Sequence, residues 1–234
     1  MALHVSADGR HVYAAGSAAG AVSVFARDSG SGGLTFVEAE FNNVNDASDT
    51  GGAVVAMAQP WAVTGPSDGA QVYVAARSGN AVLVFNRNND SGSAQFGRLS
   101  FVASHQDALQ GVDGVAGASG LALSSDGRHL YAVGEADNAV VLFDRQVSGN
   151  LAWRAQWRKN APTVPALGGP QGIVVAPDGK AVFVVGFSDN SLTVFERNGG
   201  TDSAAGLLTL RQTVFDEEGG EQHGRADRAR DESG

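Results

Sequence analysis

The chain has 234 residues, with 25 acidic against 16 basic side chains and a formal charge of −9, which excludes the basic surface that a nucleic-acid backbone requires. It has no cysteine, so disulfide and thiolate chemistry are excluded, and no apolar run approaches the roughly 18 residues of a membrane-spanning helix. Its 32 glycines, set among abundant Val, Ser, Asn and Asp, are the composition of short strands joined by many turns.

In chain order the first element is an apolar stretch, Leu3 to Ser6, followed by an Asp8-Gly9 turn. Asp-Gly between two apolar runs predicts a tight hairpin, because Gly readily takes a positive φ. A second strand, His11 to Gly16, leads through a small-residue turn to a third, Ala21 to Arg27. A variable polar connection then reaches a fourth, Leu34 to Phe41. The same order returns three times. Asp68-Gly69, Asp126-Gly127 and Asp178-Gly179 follow at steps of 60, 58 and 52 residues, and each glycine is followed 16 positions later by a phenylalanine: Phe25, Phe85, Phe143 and Phe195. The third strands recur at 81–87, 139–145 and 191–197. The fourth recur as Leu99 to His105, Leu151 to Trp157 and Leu208 to Phe215. The repeats therefore span 1–41, 60–105, 119–157 and 170–215. The Gly-rich, charged stretch 216–234 has no apolar periodicity and is expected to be a disordered tail.

One four-stranded sheet cannot cover both of its faces, so identical units must stack. Radial stacking predicts an all-β fold, a β-propeller with four blades of four antiparallel strands. A tandem β-sandwich is the competing architecture, but it calls for alternating unlike strands rather than one unit repeated. The period exceeds the roughly 40–45 residues of Trp-Asp repeat blades, and no Trp-Asp dipeptide closes a repeat.

Three features, an apolar run before Asp-Gly with Val-Tyr after it, Asp-Asn-Ala-Val-x-Val-Phe-x-Arg, and Gly-x-Leu-x-Phe-Val, together resemble the YVTN and lactonase-like propeller repeats over residues 3–215. That group includes 6-phosphogluconolactonase and muconate-cyclising enzymes. Full members have seven blades, so the resemblance implies a partial or open propeller rather than a closed four-bladed ring. Open blade faces would favour self-association. Relatives with such repeats are often exported, although Met1 to Val5 shows neither the basic nor the apolar region of a signal peptide.

The loops Asn42–Pro60, Gln106–Ser119 and Arg158–Pro170 border one mouth of the predicted channel and are the natural ligand-binding ground. His105 and Asp107 could pair as a base and its orienting carboxylate. Arg158, with Arg154, Lys159, Trp153 and Trp157, could meet an anionic ligand. Trp61 and Gln171, at the entries of two inner strands, are ligand-binding candidates. Asp46 and Asp49, with Asn42 and Asn45, form an oxygen-rich cluster that suits a hard cation but matches no known loop spacing. His11 and His129, and Arg27, Arg87, Arg145 and Arg197, recur at fixed repeat positions and read as blade structure.

Lactonase-type members place His and Arg at the inner-strand entries. Here those positions read Gln59-Pro60-Trp61, Ala118-Ser119-Gly120 and Gly169-Pro170-Gln171. The expectation is therefore a non-catalytic propeller module that binds a protein or small-molecule ligand through its rim loops and needs no cofactor. A lactonase-type hydrolase is the alternative.

Overall fold

The computed structural model describes residues 2–44, 52–161 and 164–216. Asp46, Asp49 and the predicted tail beyond Asp216 lie outside the described residues.

Among the described residues, sixteen strands form four antiparallel sheets. The first blade holds β1 (Leu3–Val5), β2 (His11–Gly16), β3 (Ala21–Arg27) and β4 (Leu34–Phe41). The second holds β5 (Pro60–Thr64), β6 (Gln71–Ala76), β7 (Ala81–Arg87) and β8 (Leu99–Gln106). The third holds β9 (Ala118–Leu123), β10 (His129–Gly134), β11 (Ala139–Arg145) and β12 (Leu151–Arg158). The fourth holds β13 (Pro170–Val175), β14 (Ala181–Gly186), β15 (Ser191–Arg197) and β16 (Leu208–Phe215). Each sheet keeps sequence order, with β1, β5, β9 and β13 as the inner strands. The Asp-Gly glycines sit at φ 69, 67, 68 and 70°, as the hairpin turns demand. The outer strands β8 and β12 run one residue further than the sequence pattern implied, so Arg158 ends a strand instead of opening a loop.

The core lies between neighbouring sheets. Tyr13, Val22 and Val24 of the first blade pack against Val72, Leu83 and Phe85 of the second. Tyr73 and Val84 meet Leu130, Val141 and Phe143 at the next joint, and Tyr131 and Leu142 meet Val182, Val184 and Phe195 at the third. The repeated phenylalanine thus faces the preceding blade. Burying it contributes about 1.5–3 kcal/mol relative to leaving it in water. At each phenylalanine the register with the outer strand slips by one residue, a bulge common to all four blades.

The recurring arginines are inter-blade ties. Arg87 Nε donates to Tyr13 Oη (2.7 Å), and Arg87 Nη2 reaches Asp8 Oδ2 (2.7 Å) and His11 Nδ1 (3.0 Å). Arg145 repeats this on Tyr73 (3.0 Å), Asp68 (2.7 Å) and Gln71. Arg197 repeats it on Tyr131 (3.0 Å), Asp126 (3.2 Å) and His129 (2.8 Å). Each tyrosine hydroxyl in turn donates to a carbonyl of the following blade, on Gly97, Gly149 or Gly206. Every buried donor and acceptor in the tie is matched, and the guanidinium bonds are the charge-assisted kind.

The two end blades leave apolar faces in solvent. Leu3 and Phe36 of the first blade are 71% and 60% exposed, whereas Phe85, Phe143 and Phe195 are fully buried. In the fourth blade Val174, Val185, Phe187, Leu192 and Val214 are exposed. The sheets thus form a partial propeller, open at both ends.

Candidate functional site: the channel mouth

In the second, third and fourth blades the turn between the second and third strands is bonded to the loop entering that blade's inner strand. The N–H of Arg77 donates to Gln59 O (2.9 Å), that of Glu135 to Gly117 O (3.1 Å) and that of Phe187 to Gly169 O (3.1 Å). These turns and loops make one mouth. Gly79 has to be glycine there, because a Cβ would lie 1.8 Å from the Ala56 carbonyl oxygen.

At the inner edge of this mouth, three blades contribute to one cluster. The Arg77 guanidinium lies 4.9 Å over the Trp61 ring and bonds Glu135 Oε1 at 2.6 Å, with Oε2 at 2.5 Å. Gln171 Nε2 reaches the same Oε1 at 3.4 Å. Ser78 Oγ donates to Gln59 Oε1 (2.5 Å) beside them, and buried Ser119 Oγ donates to Pro170 O (2.8 Å) behind them. The side chains of Arg77 and Glu135 are both partly open to solvent, so a ligand entering the mouth can reach them. A cation stacked on an indole and clamped by a carboxylate is held in one orientation, which is what a polar ligand site needs.

The structure therefore gathers Trp61 and Gln171 at this mouth and leaves His105 elsewhere. His105 lies on outer strand β8, its Nε2 bonded to Asn150 Oδ1 (3.0 Å) and its ring packed on Phe143, and burial pushes its pKa down. It ties the second blade to the third and does not meet Asp107 as a base would. Asp107 instead accepts the backbone N–H groups of Gly114 and Val115 (2.9 and 3.1 Å), fixing the loop. Arg158 pairs with Asp113 and Asp137, Arg154 with Asp144, and Lys159 with Asp189, so each cation of that group already has a carboxylate.

Asp107, Asp113 and Asp137 bring three carboxylate oxygens within 4.8 Å of one another, close enough to share a cation. Burial, and then the charge of Asp107, raise the pKa of Asp137. However, Asp113 is also held by Gln156 Nε2 (2.6 Å) and Asp137 by the Ala116 N–H (2.8 Å). These bonds make the cluster a clasp for the loop between β8 and β9.

Arg77 and Glu135 were missed by reading the inner-strand entries, where the family pattern led attention. The signal lay at the first residue after each second strand, which reads Ser17, Arg77, Glu135 and Phe187. The Asp-Gly turns, the phenylalanine and the strand-ending arginine keep one residue type in all four blades, whereas this position changes from small to cationic to anionic to aromatic, so the blade does not dictate it.

Residues 67–216, more than half of the chain, match the family model described as "Lactonase, 7-bladed beta-propeller". Among solved structures, a putative 6-phosphogluconolactonase from Bacteroides fragilis superposes with a TM-score of 0.68 at 22% identity, over 92% of this chain and 54% of that one. A second from Bacteroides uniformis gives 0.67 at 21%, over 92% and 57%. The periplasmic gluconolactonase of Pseudomonas aeruginosa gives 0.66 at 24%, over 91% and 53%. The chain thus spans a little over half the length of these structures, and at such identities they show the shared fold. No curated protein sequence matches it. With four repeats in register and a family match over most of them, the chain belongs to the seven-bladed β-propeller lactonase family.

Proposed function

We propose that this chain belongs to a lactone-hydrolysing propeller and carries part of its site at the mouth formed by Trp61, Arg77, Glu135 and Gln171. The observation that carries this reading is the Arg77–Glu135 pair, a cation and a carboxylate from two blades, meeting at the inner edge of the channel. The family match supports lactone chemistry over the non-catalytic binding module that the inner-strand entries alone suggested.

Opening a lactone needs water to add to the carbonyl carbon while the ring C–O bond breaks. In this reading Glu135 takes a proton from the attacking water, and Arg77 donates hydrogen bonds to the carbonyl oxygen as negative charge develops on it. The ring oxygen leaves with the proton that Glu135 took from the water, giving a hydroxy acid and returning Glu135 to its carboxylate. Trp61 fixes the guanidinium plane, and the Gln171 amide is placed to bond substrate hydroxyls.

The test is ring opening of glucono-δ-lactone, followed by acid release against the spontaneous rate. Glu135→Gln and Arg77→Ala should each lower kcat/KM by about 100-fold or more, while Arg128→Ala, away from the mouth, leaves it unchanged. A chain that binds the lactone without accelerating its opening would return the reading to a binding module. Full activity in Glu135→Gln would remove the proposed base.

A further inference from the structure

The inner edge of the mouth is polar but electrically neutral. Just past each second strand the four blades place Ser17, Arg77, Glu135 and Phe187, whose formal charges cancel. Arg77 and Glu135 neutralise each other by direct contact. The groups around them, the Trp61 ring, the Gln59 and Gln171 amides and the Ser78 hydroxyl, carry no charge. This edge offers hydrogen bonds and an aromatic surface.

A surplus of acid stands directly beside it. Asp137 follows Glu135 by two residues in the same turn, so the two backbones lie within about 7 Å of each other. Asp137 shares its place with Asp107 and Asp113, their carboxylate oxygens all within 4.8 Å. The cation bonded to this group is Arg158, which leaves three carboxylates facing one guanidinium. Next to them Lys159 is matched by Asp189. The Asp113 side chain is about half exposed, so the surplus reaches the solvent through which a ligand arrives.

We propose that this mouth selects uncharged, hydroxyl-bearing lactones and turns away lactones that carry a phosphate, the selection being set by the Asp107, Asp113 and Asp137 surplus beside Glu135. The inference rests on the lactone-hydrolase reading of the Arg77–Glu135 pair. A phosphate ester carries nearly two negative charges at neutral pH and is held by a cation free to face it. Here Arg77 gives its guanidinium to Glu135, Arg158 to Asp113 and Asp137, and Lys159 its ammonium to Asp189. A neutral ring asks only for hydrogen bonds of the kind that the amides and the hydroxyl at the inner edge make, and it meets no repulsion. The surplus lies within a Debye length of the Arg77–Glu135 pair, so it acts on a charged substrate without touching it.

Ring opening of glucono-δ-lactone and of 6-phosphoglucono-δ-lactone by the full chain at pH 7 separates the two classes. At low salt kcat/KM for the phosphorylated lactone should be at least about tenfold the lower. About 0.5 M NaCl should close most of that gap by raising the phosphorylated rate, because the repulsion is screened. Asp113→Asn with Asp137→Asn keeps an oxygen to accept from Gln156 and from the Ala116 N–H, and leaves Asp107 alone against Arg158. It should lower the ratio of the two kcat/KM values at least about threefold. Equal rates, a gap that salt does not move, or a folded double variant with an unchanged ratio would each overturn the proposal and leave the lactonase reading standing. Should the double variant unfold, the salt comparison on the unaltered chain decides. For a chain that opens neither lactone, calorimetric titration with glucono-δ-lactam and with its 6-phosphate decides instead. Binding of the lactam alone would keep the charge selection while removing hydrolysis, and equal binding, or binding of neither, would overturn the selection as well.

Discussion

Arg87 Nε lies 2.7 Å from the hydroxyl of Tyr13, a residue 74 positions away in the preceding blade. The hydroxyl accepts from that guanidinium and donates its own proton to Gly97 O (3.0 Å), so both of its roles are used on a fully buried side chain. Burial pushes the pKa of Tyr13 up to about 12, which keeps that proton in place. Tyr13→Phe would strand Arg87 Nε and the Gly97 carbonyl together, and the same holds for Tyr73→Phe and Tyr131→Phe. Each should cost about 1–3 kcal/mol, read as a lowered urea midpoint with an unchanged slope. A neutral result at all three positions would show that the hydroxyls do not tie the blades.

The arginines offer a comparison within one chain. Arg87 is 2% exposed and serves an aspartate, a histidine and a tyrosine of another blade, whereas Arg27, at the same place in the first blade, meets no carboxylate of another blade among the described residues. Arg87→Met leaves the Asp8 carboxylate without its partner, although Asp8 is about a third exposed and solvent offsets part of the loss. A cost of about 2–3 kcal/mol is expected for Arg87→Met, against less than about 0.5 kcal/mol for Arg27→Met. Equal costs at the two positions would mean that these arginines act within their own blades.

Gly97 and Gly32 separate backbone conformation from close approach. Both have positive φ, 85° and 75°, so alanine at either pays a similar backbone cost of about 1 kcal/mol. A Cβ on Gly97 would sit 2.0 Å from His11 Nε2, while one on Gly32 meets nothing nearer than Arg27 Nη2 at 4.0 Å. Gly97→Ala should therefore destabilise by about 1–3 kcal/mol more than Gly32→Ala in chemical unfolding.

What the sequence made legible is what is local. Asp-Gly, the Asn-ended turns and the Phe at constant spacing act over a few residues, so Phe85, Phe143 and Phe195 announced the core and the strand order before any contact was known. The ties were illegible because Arg145 and Tyr73 meet only after the blades stack, and their constancy through the repeats is equally consistent with a solvated surface. The bulge at each phenylalanine was hidden for a similar reason: it depends on the outer strand's register, and the connection leading to that strand varies in length. At the mouth the repeat misled in the opposite sense. Arg77 and Glu135 stand just past the second strands, whereas the family resemblance points to the inner-strand entries, which meet them only once the blades stack.

Stability should fall as the solution is acidified from neutrality, and the four described histidines give the sign. Burial, and then the charge of Arg87 or Arg197, lower the pKa of His4, His11 and His129 from 6.5; burial also lowers His105, with the Asn150 bond opposing it. A guanidinium can only donate, so its bond to His11 Nδ1 requires that nitrogen to be unprotonated. The unfolded chain takes up protons near pH 6.5 while the folded one resists, so the histidine contribution is complete above that pH and is lost as pH falls below it. Asp8 acts lower on the scale. Burial raises its pKa, but bonds from Ser6, the Arg10 N–H and Arg87 outweigh this and hold it at about 2, so its contribution is present above the ordinary carboxylate value and lost as pH falls towards 2. The second blade already contains the remedy, since Gln71 accepts from Arg145 where the other two joints use histidine. His11→Gln with His129→Gln should keep the ties and flatten the decline in unfolding free energy between pH 7 and 5, leaving the loss below pH 4 in place. A decline unchanged by this double variant would show that the protons taken up on unfolding belong to other groups.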